Sequence, residues 1–126
     1  MKKLLIIIIL IILVIIINFF NYYMKIDFIK KTGNEFSKNL IFDIINKNNI
    51  DEFWSKFYYD GTKLKKIVYI IDKVKKFEII SKKKYVIELL LYCNLINGDN
   101  TIIKIELKYS LINSFWFINN IEYLSK

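Results

Sequence analysis

Three patterns of apolar and polar positions follow one another along the chain. Leu4 to Ile17 is an unbroken aliphatic run, preceded by Lys2 and Lys3. As a helix it covers about 21 Å, short of a hydrocarbon core of about 30 Å. Extension through Phe19, Phe20, Tyr22 and Tyr23 makes up the difference, and these aromatics suit a membrane–water interface. Residues 15 to 25 contain no Ala, Gly or Ser, so a cleaved signal peptide lacks its small-residue site. Residues 1–23 are therefore expected to be an uncleaved transmembrane anchor. Lys25 to Lys31 reads as a juxtamembrane linker or a continuation of the helix.

From Thr32 the spacing of apolar residues stays near 3.6. Thr32-Gly33-Asn34-Glu35 has capping-box spacing and predicts a new helix start. Phe36, Leu40, Ile41 and Ile44 would form its apolar face. Asn49 and Glu52 predict a second start, with Ile50, Phe53, Trp54 and Phe57 on one side. Gly61 suits the left-handed residue ending that helix. Leu64, Ile67, Val68, Ile71 and Val74 fit a third helix, although Ile67 to Ile71 is also rich in strand-forming residues.

Beyond Lys76 the period falls to two. Phe77, Ile79 and Ser81 predict a short strand, and Tyr85–Leu95 and Ile102–Ile112 predict two long ones. Ile87, Leu89, Leu91, Cys93 and Leu95 share one face; Ile103, Ile105, Leu107, Tyr109 and Leu111 share another. Joining these faces requires a loop of odd length, expected at Gly98-Asp99-Asn100, with Leu91 opposite Leu107 or Ile105. Glu88, Tyr92 and Asn94 would then meet Lys104, Glu106 and Lys108 on a solvated face. In the final strand, simple alternation carries Trp116 and Ile118 inward but turns Ile121 outward. A one-residue bulge at Asn119-Asn120 returns Ile121 and Tyr123 to the core. The fold class is thus α+β: a transmembrane helix, then two or three helices on an antiparallel meander of three or four strands, with residues 32–126 as one domain.

This order, closing on Trp116-x-Ile118-x-x-Ile121, resembles the cystatin-like cone of nuclear-transport-factor-2-like domains. The closing strand is similar to that of small bacterial lipoproteins and membrane-anchored proteins with that fold. The resemblance implies a curved sheet and helices around a pocket, and in enzymatic relatives an Asp, His or Tyr acting as acid and base. It also implies, by analogy with the bitopic periplasmic component of type IV secretion systems, a protein partner in an envelope assembly.

Composition narrows the chemistry. All twenty basic residues are lysine, and the chain has no His, Arg, Pro, Ala or Gln. Without His there is no Ser-His or Cys-His pair and no His-Cys zinc site. Cys93 has no partner for a disulfide within the chain. Nothing in the sequence points to a metal or cofactor.

Nine lysines fall between positions 63 and 84, opposed only by Asp72 and Glu78. Lys65, Lys66, Lys73, Lys75, Lys76, Lys82, Lys83 and Lys84 are candidate contacts for anionic lipid or an acidic partner. A solvated face, enriched in lysine because Lys, Ile, Asn, Tyr and Phe share AT-rich codons, is the plainer account. Nucleic acid fits poorly without Arg. Trp54, Tyr58 and Tyr59 are candidate pocket or groove aromatics, with core packing as the alternative. Asp60, Glu88, Glu106 and Glu122 are the carboxylates available for acid–base work.

The short basic N-terminus is expected to stay cytoplasmic and place the domain outside. The sequence thus points to a single-pass, extracytoplasmic binding or assembly module without catalysis. The competing readings are a small pocket enzyme on a cystatin-like cone, and a cytoplasmic-face domain held to anionic lipid by its lysines.

Overall fold

The computed structural model describes residues 1–124. One helix, α1 (Lys2–Asn46), runs without a break from the aliphatic segment into the domain. At 45 residues it is about 67 Å long. Its N-terminal half is long and apolar enough to cross a membrane, and no residue before Ile26 is covered by the rest of the chain. Its C-terminal half buries Ile29, Gly33, Ser37, Leu40, Ile41 and Ile44 at a spacing of three and four.

The helix start expected at Thr32 does not exist. The Thr32 hydroxyl bonds the Ile29 carbonyl at 2.9 Å, a bond made within a continuing helix. Gly33 serves a different purpose: a Cβ there would lie 2.5 Å from Trp116 Cζ2 and 2.7 Å from Ile87 Cδ1. The glycine lets α1 lie close against the sheet, and packing there outweighs its poor helix propensity. Residues 24–31 are accordingly helical, the second of the two expected alternatives.

The helix ends at Lys47, in the left-handed region at φ 55°. The second expected helix reduces to one 3-10 turn, Trp54–Phe57. Trp54 is fully buried, and its Nε1 donates to Asp43 Oδ2 at 2.6 Å. Asp60 caps α2 (Gly61–Tyr69) by accepting from the Lys63 amide at 3.1 Å. Gly61 therefore begins a helix rather than ending one.

Four strands follow in an open antiparallel sheet of order β1-β2-β3-β4: β1 (Ile71–Lys83), β2 (Val86–Leu95), β3 (Asn100–Ser110) and β4 (Phe115–Leu124). Ile71 and Val74, assigned to the third helix by spacing, belong to β1. The cause is two bulges, which set Ile71, Val74 and Phe77 opposite Leu95, Cys93 and Leu91. Bulged pairing gives a spacing of three, which imitates a helix.

In β2 and β3 the odd residues face inward as expected. Leu91 pairs with Ile103, Leu89 with Ile105 and Ile87 with Leu107, so Leu91 lies two residues from the expected Ile105 pairing and four from the expected Leu107 pairing. The loop is odd but is Ile96-Asn97-Gly98, closed by Leu95 N to Asp99 O at 2.8 Å with Gly98 at φ 93°. The bulge in β4 is present: Glu106 pairs with Asn120 and Leu107 with Ile118, leaving Asn119 as the extra residue. Ile121 is buried, whereas Tyr123, on the same face, lies half exposed at the sheet's end.

The core between α1 and the sheet is filled by Leu40, Ile44, Leu89, Leu91, Ile103, Ile105, Leu107, Trp116 and Ile118. Leu111, expected to extend the inner face of β3, instead lies exposed in the β3–β4 turn, because β2 offers no partner beyond Tyr85.

Candidate functional site

A meander of four strands leaves its first strand at an edge. β1 carries most of the lysine cluster, and most of its residues are exposed. Its bulges and lysines are the devices by which edge strands avoid pairing with other sheets. They also leave a long positive border on one side of the domain.

The structure divides the eight candidate lysines into three groups. Lys65 and Lys66 lie on α2, where Lys65 pairs with Asp51 at 3.2 Å. Lys73, Lys75 and Lys76 lie in the first half of β1. Lys75 donates to Asn100 Oδ1 at 3.3 Å, and Lys76 Nζ sits 4.4 Å from the centre of the Tyr92 ring. Beside them Cys93, Thr101 and Ile102 help line a groove of about 380 Å³. The Tyr92 hydroxyl bonds Glu78 at 3.3 Å, and burial followed by the Glu78 charge pushes its pKa up.

Lys82, Lys83 and Lys84 lie at the other end of β1. Lys82 pairs with Glu88 at 3.1 Å, and Lys84 donates to the Tyr22 hydroxyl at 2.8 Å. Lys73 and Lys83 are about 30 Å apart along the strand, so the cluster is not one patch. Six of the eight lysines, all but Lys65 and Lys82, have no carboxylate partner among the described residues.

The candidate aromatics separate as well. Trp54 is core, in edge-to-face contact with Phe36 at 5.2 Å and Phe53 at 5.0 Å. Tyr58 is buried, and its hydroxyl meets no hydrogen-bond partner among the described residues. Burial, helped by Tyr59 and Asp60, pushes its pKa up to about 12, so it remains a neutral phenol. Tyr59 is 85% exposed. Tyr58 and Tyr59 help line a shallow groove with Ser110, Asn113 and Phe115.

The carboxylates are engaged in structure. Asp60 caps α2. Glu88, only 7% exposed, lies between Lys82 and Lys104, the latter at 3.6 Å. Glu122 pairs with Lys104 at 3.5 Å, and Glu106 accepts from Asn119 at 2.7 Å. Glu88 faces Glu106 directly across the strands, a like-charge pair made tolerable by Lys82, Lys104 and Lys108. The Glu88 charge is the chief cause raising the Lys104 pKa.

Cys93 is buried, which pushes its thiol up to about 11 and leaves it unreactive at neutral pH. No His, Cys, Asp or Glu cluster suited to a metal occurs among the described residues. Phe77, half exposed at the β1 edge on the same sheet face as Leu91, offers an apolar surface that the sequence pattern places only within a strand. Comparison with protein-family models, curated proteins and solved structures finds no match for this chain.

Proposed function

We propose that the protein is a single-pass, membrane-anchored binding or assembly module whose domain lies on the extracytoplasmic side and engages an acidic protein partner along β1. The observation that carries this reading is the open, lysine-bearing edge of β1, with the half-exposed Phe77 on the inner face of the same edge. An edge strand can take an extended acidic segment through backbone pairing, with the lysines selecting its charge. The apolar filling between α1 and the sheet and the engaged carboxylates favour binding over catalysis. Lys2 and Lys3 before the aliphatic run support an N-terminus that stays inside. A helix followed by a meander closing on Trp116 and Ile118 keeps the cystatin-like resemblance part of this proposal.

A photoreactive residue at Phe77 tests it in cells. We expect a cross-link to an acidic protein that disappears when Lys73, Lys75 and Lys76 are changed to Glu. Salt of about 0.5 M, where screening acts within a few ångströms, should weaken the same capture. A cross-link indifferent to charge reversal rules out the basic edge as the docking surface. Modification of Asn97→Cys by a membrane-impermeant thiol reagent in intact cells tests the placement, and protection from it rules out an outside domain.

A further inference from the structure

An antiparallel meander of four strands puts two of its turns at one end and one at the other. Here the paired turns are Lys84-Tyr85 and Leu111–Ser114, and the single turn is Ile96–Gly98. The end with two turns is the end where the anchor enters. Lys84 Nζ is 2.8 Å from the Tyr22 hydroxyl and 5.2 Å from the centre of its ring. Tyr22 follows the last aliphatic residue, Ile17, by five positions, about 7 Å along the helix axis. With Phe19 to Tyr23 completing the span, Tyr22 falls at the membrane–water boundary of a bilayer that α1 crosses, and the Lys84 turn is held beside it.

The β3–β4 turn lies beside it. Tyr109 N donates to Tyr85 O at 2.9 Å, and Trp116, two residues past the turn, donates through Nε1 to Ile29 O at 3.1 Å. The turn itself is fixed: Asn113 N donates to Ser110 Oγ at 3.1 Å and Ser114 N to Ser110 O at 2.8 Å. Turn tips are ordinarily polar, yet this one projects Leu111 at 57% and Ile112 at 94% exposure. Lys83 and Lys84 lie at the β1–β2 turn, at the same end of the sheet as the two apolar residues. The opposite turn carries a single exposed apolar residue, Ile96, beside Asn97 and Asp99.

We propose that Leu111 and Ile112 insert into the interfacial layer of the bilayer that α1 crosses, with Lys83 and Lys84 on its anionic headgroups. The occupant is that bilayer because the sheet end bearing the tip is hydrogen-bonded to the anchor, and α1 has no break that would let the domain move away. Apolar side chains in one turn and lysines in the other turn at the same end of the sheet match the acyl–headgroup boundary in both respects. The domain thereby gains a second foothold, about 10 Å to the side of the Lys84 turn, two strand spacings away. Such a foothold fixes the domain's rotation about α1, and with it the direction in which β1 faces.

The full-length chain carrying Ile112→Cys, labelled with the environment-sensitive fluorophore NBD and reconstituted in phosphatidylcholine–phosphatidylglycerol vesicles, tests this. Cys93 is buried and stays unlabelled, and Ile112 touches nothing that the fold needs. An Asn97→Cys protein, labelled at the opposite turn, provides the comparison. We expect blue-shifted emission from the Ile112 position that is quenched by doxyl-labelled lipid, with water-like, unquenched emission from Asn97. Water-like emission from the Ile112 position overturns the proposal. So does equal quenching of both positions, which would mean that the domain lies on its side.

Discussion

Replacing Gly33 by Ala should act with opposite sign depending on what stands at position 116. In an ordinary helix interior the change stabilises by about 0.5–1 kcal/mol, because glycine loses more backbone freedom on folding. Here the new methyl would lie 2.5 Å and 2.7 Å from two carbons of the Trp116 indole. That ring cannot easily move aside: it is buried, and its Nε1 is held by Ile29 O and by Thr32 Oγ1 at 3.3 Å. Overpacking of this kind costs about 1–3 kcal/mol, so Gly33→Ala should destabilise by up to about 2 kcal/mol net. Trp116→Phe removes those indole carbons and leaves Ile87 Cδ1, the mobile end of a side chain, as the remaining close contact at 2.7 Å. In that background Gly33→Ala should recover its helical gain of about 0.5–1 kcal/mol, giving a coupling of about 1–3 kcal/mol between the two sites. Urea unfolding of the full chain in detergent micelles, followed by fluorescence of Trp54, which all four proteins of the cycle retain, measures each value. Stabilisation by Gly33→Ala in both backgrounds, with no coupling, would refute the close approach of α1 to the sheet.

Asp43→Ala should cost about 1–3 kcal/mol in the same unfolding assay, because it leaves the buried Trp54 Nε1 without its acceptor. Deleting Asn119 removes the extra residue and leaves Asn120 opposite Glu106 and Ile121 opposite Ile105, so both faces of β4 are kept and cooperative unfolding should persist. Asn119→Ala keeps the residue count, should cost only about 1.5–3 kcal/mol through the lost bond to Glu106, and should still fold by circular dichroism. Cys93 and Lys104 both have folded-state pKa values raised above their unfolded ones. Each therefore favours the fold fully below its unfolded pKa, and that contribution is lost as pH rises. Stability followed at increasing pH should fall from about pH 9, where unfolded Cys93 begins to ionise, towards about 11, and Cys93→Ala should remove the earlier part of that fall.

The alternation of β2 and β3 was legible because one face is buried and the other wet, and a strand has only those two faces. Parity was therefore secure, while the exact register depended on which residue of Asn97-Gly98-Asp99 centres the turn. The Asn119 bulge was legible for the same reason: Ile121 has no other way inward. β1 was hidden because its bulges space Ile71, Val74 and Phe77 three apart, a local pattern that a helix also produces. The continuity of α1 was hidden because Thr32 and Gly33 are locally a helix start, and only Trp116, more than eighty residues on, shows why a glycine sits there. The charge of the lysine cluster was plain from composition. Its division between two ends of an edge strand was not, since that depends on strand order and on the anchor reaching Lys84 through Tyr22.

Whether one rigid helix joins membrane to domain is tested most directly by a distance across residues 24–31. Nitroxide labels at Asn21→Cys and Asn39→Cys sit on the same helical face, both exposed and eighteen residues apart. In the full chain reconstituted in bilayers, pulsed electron paramagnetic resonance should give one narrow distance near 27 Å, the rise of eighteen helical residues. A broad distribution, or a centre well below that value, would mean a flexible linker between anchor and domain and would contradict the account.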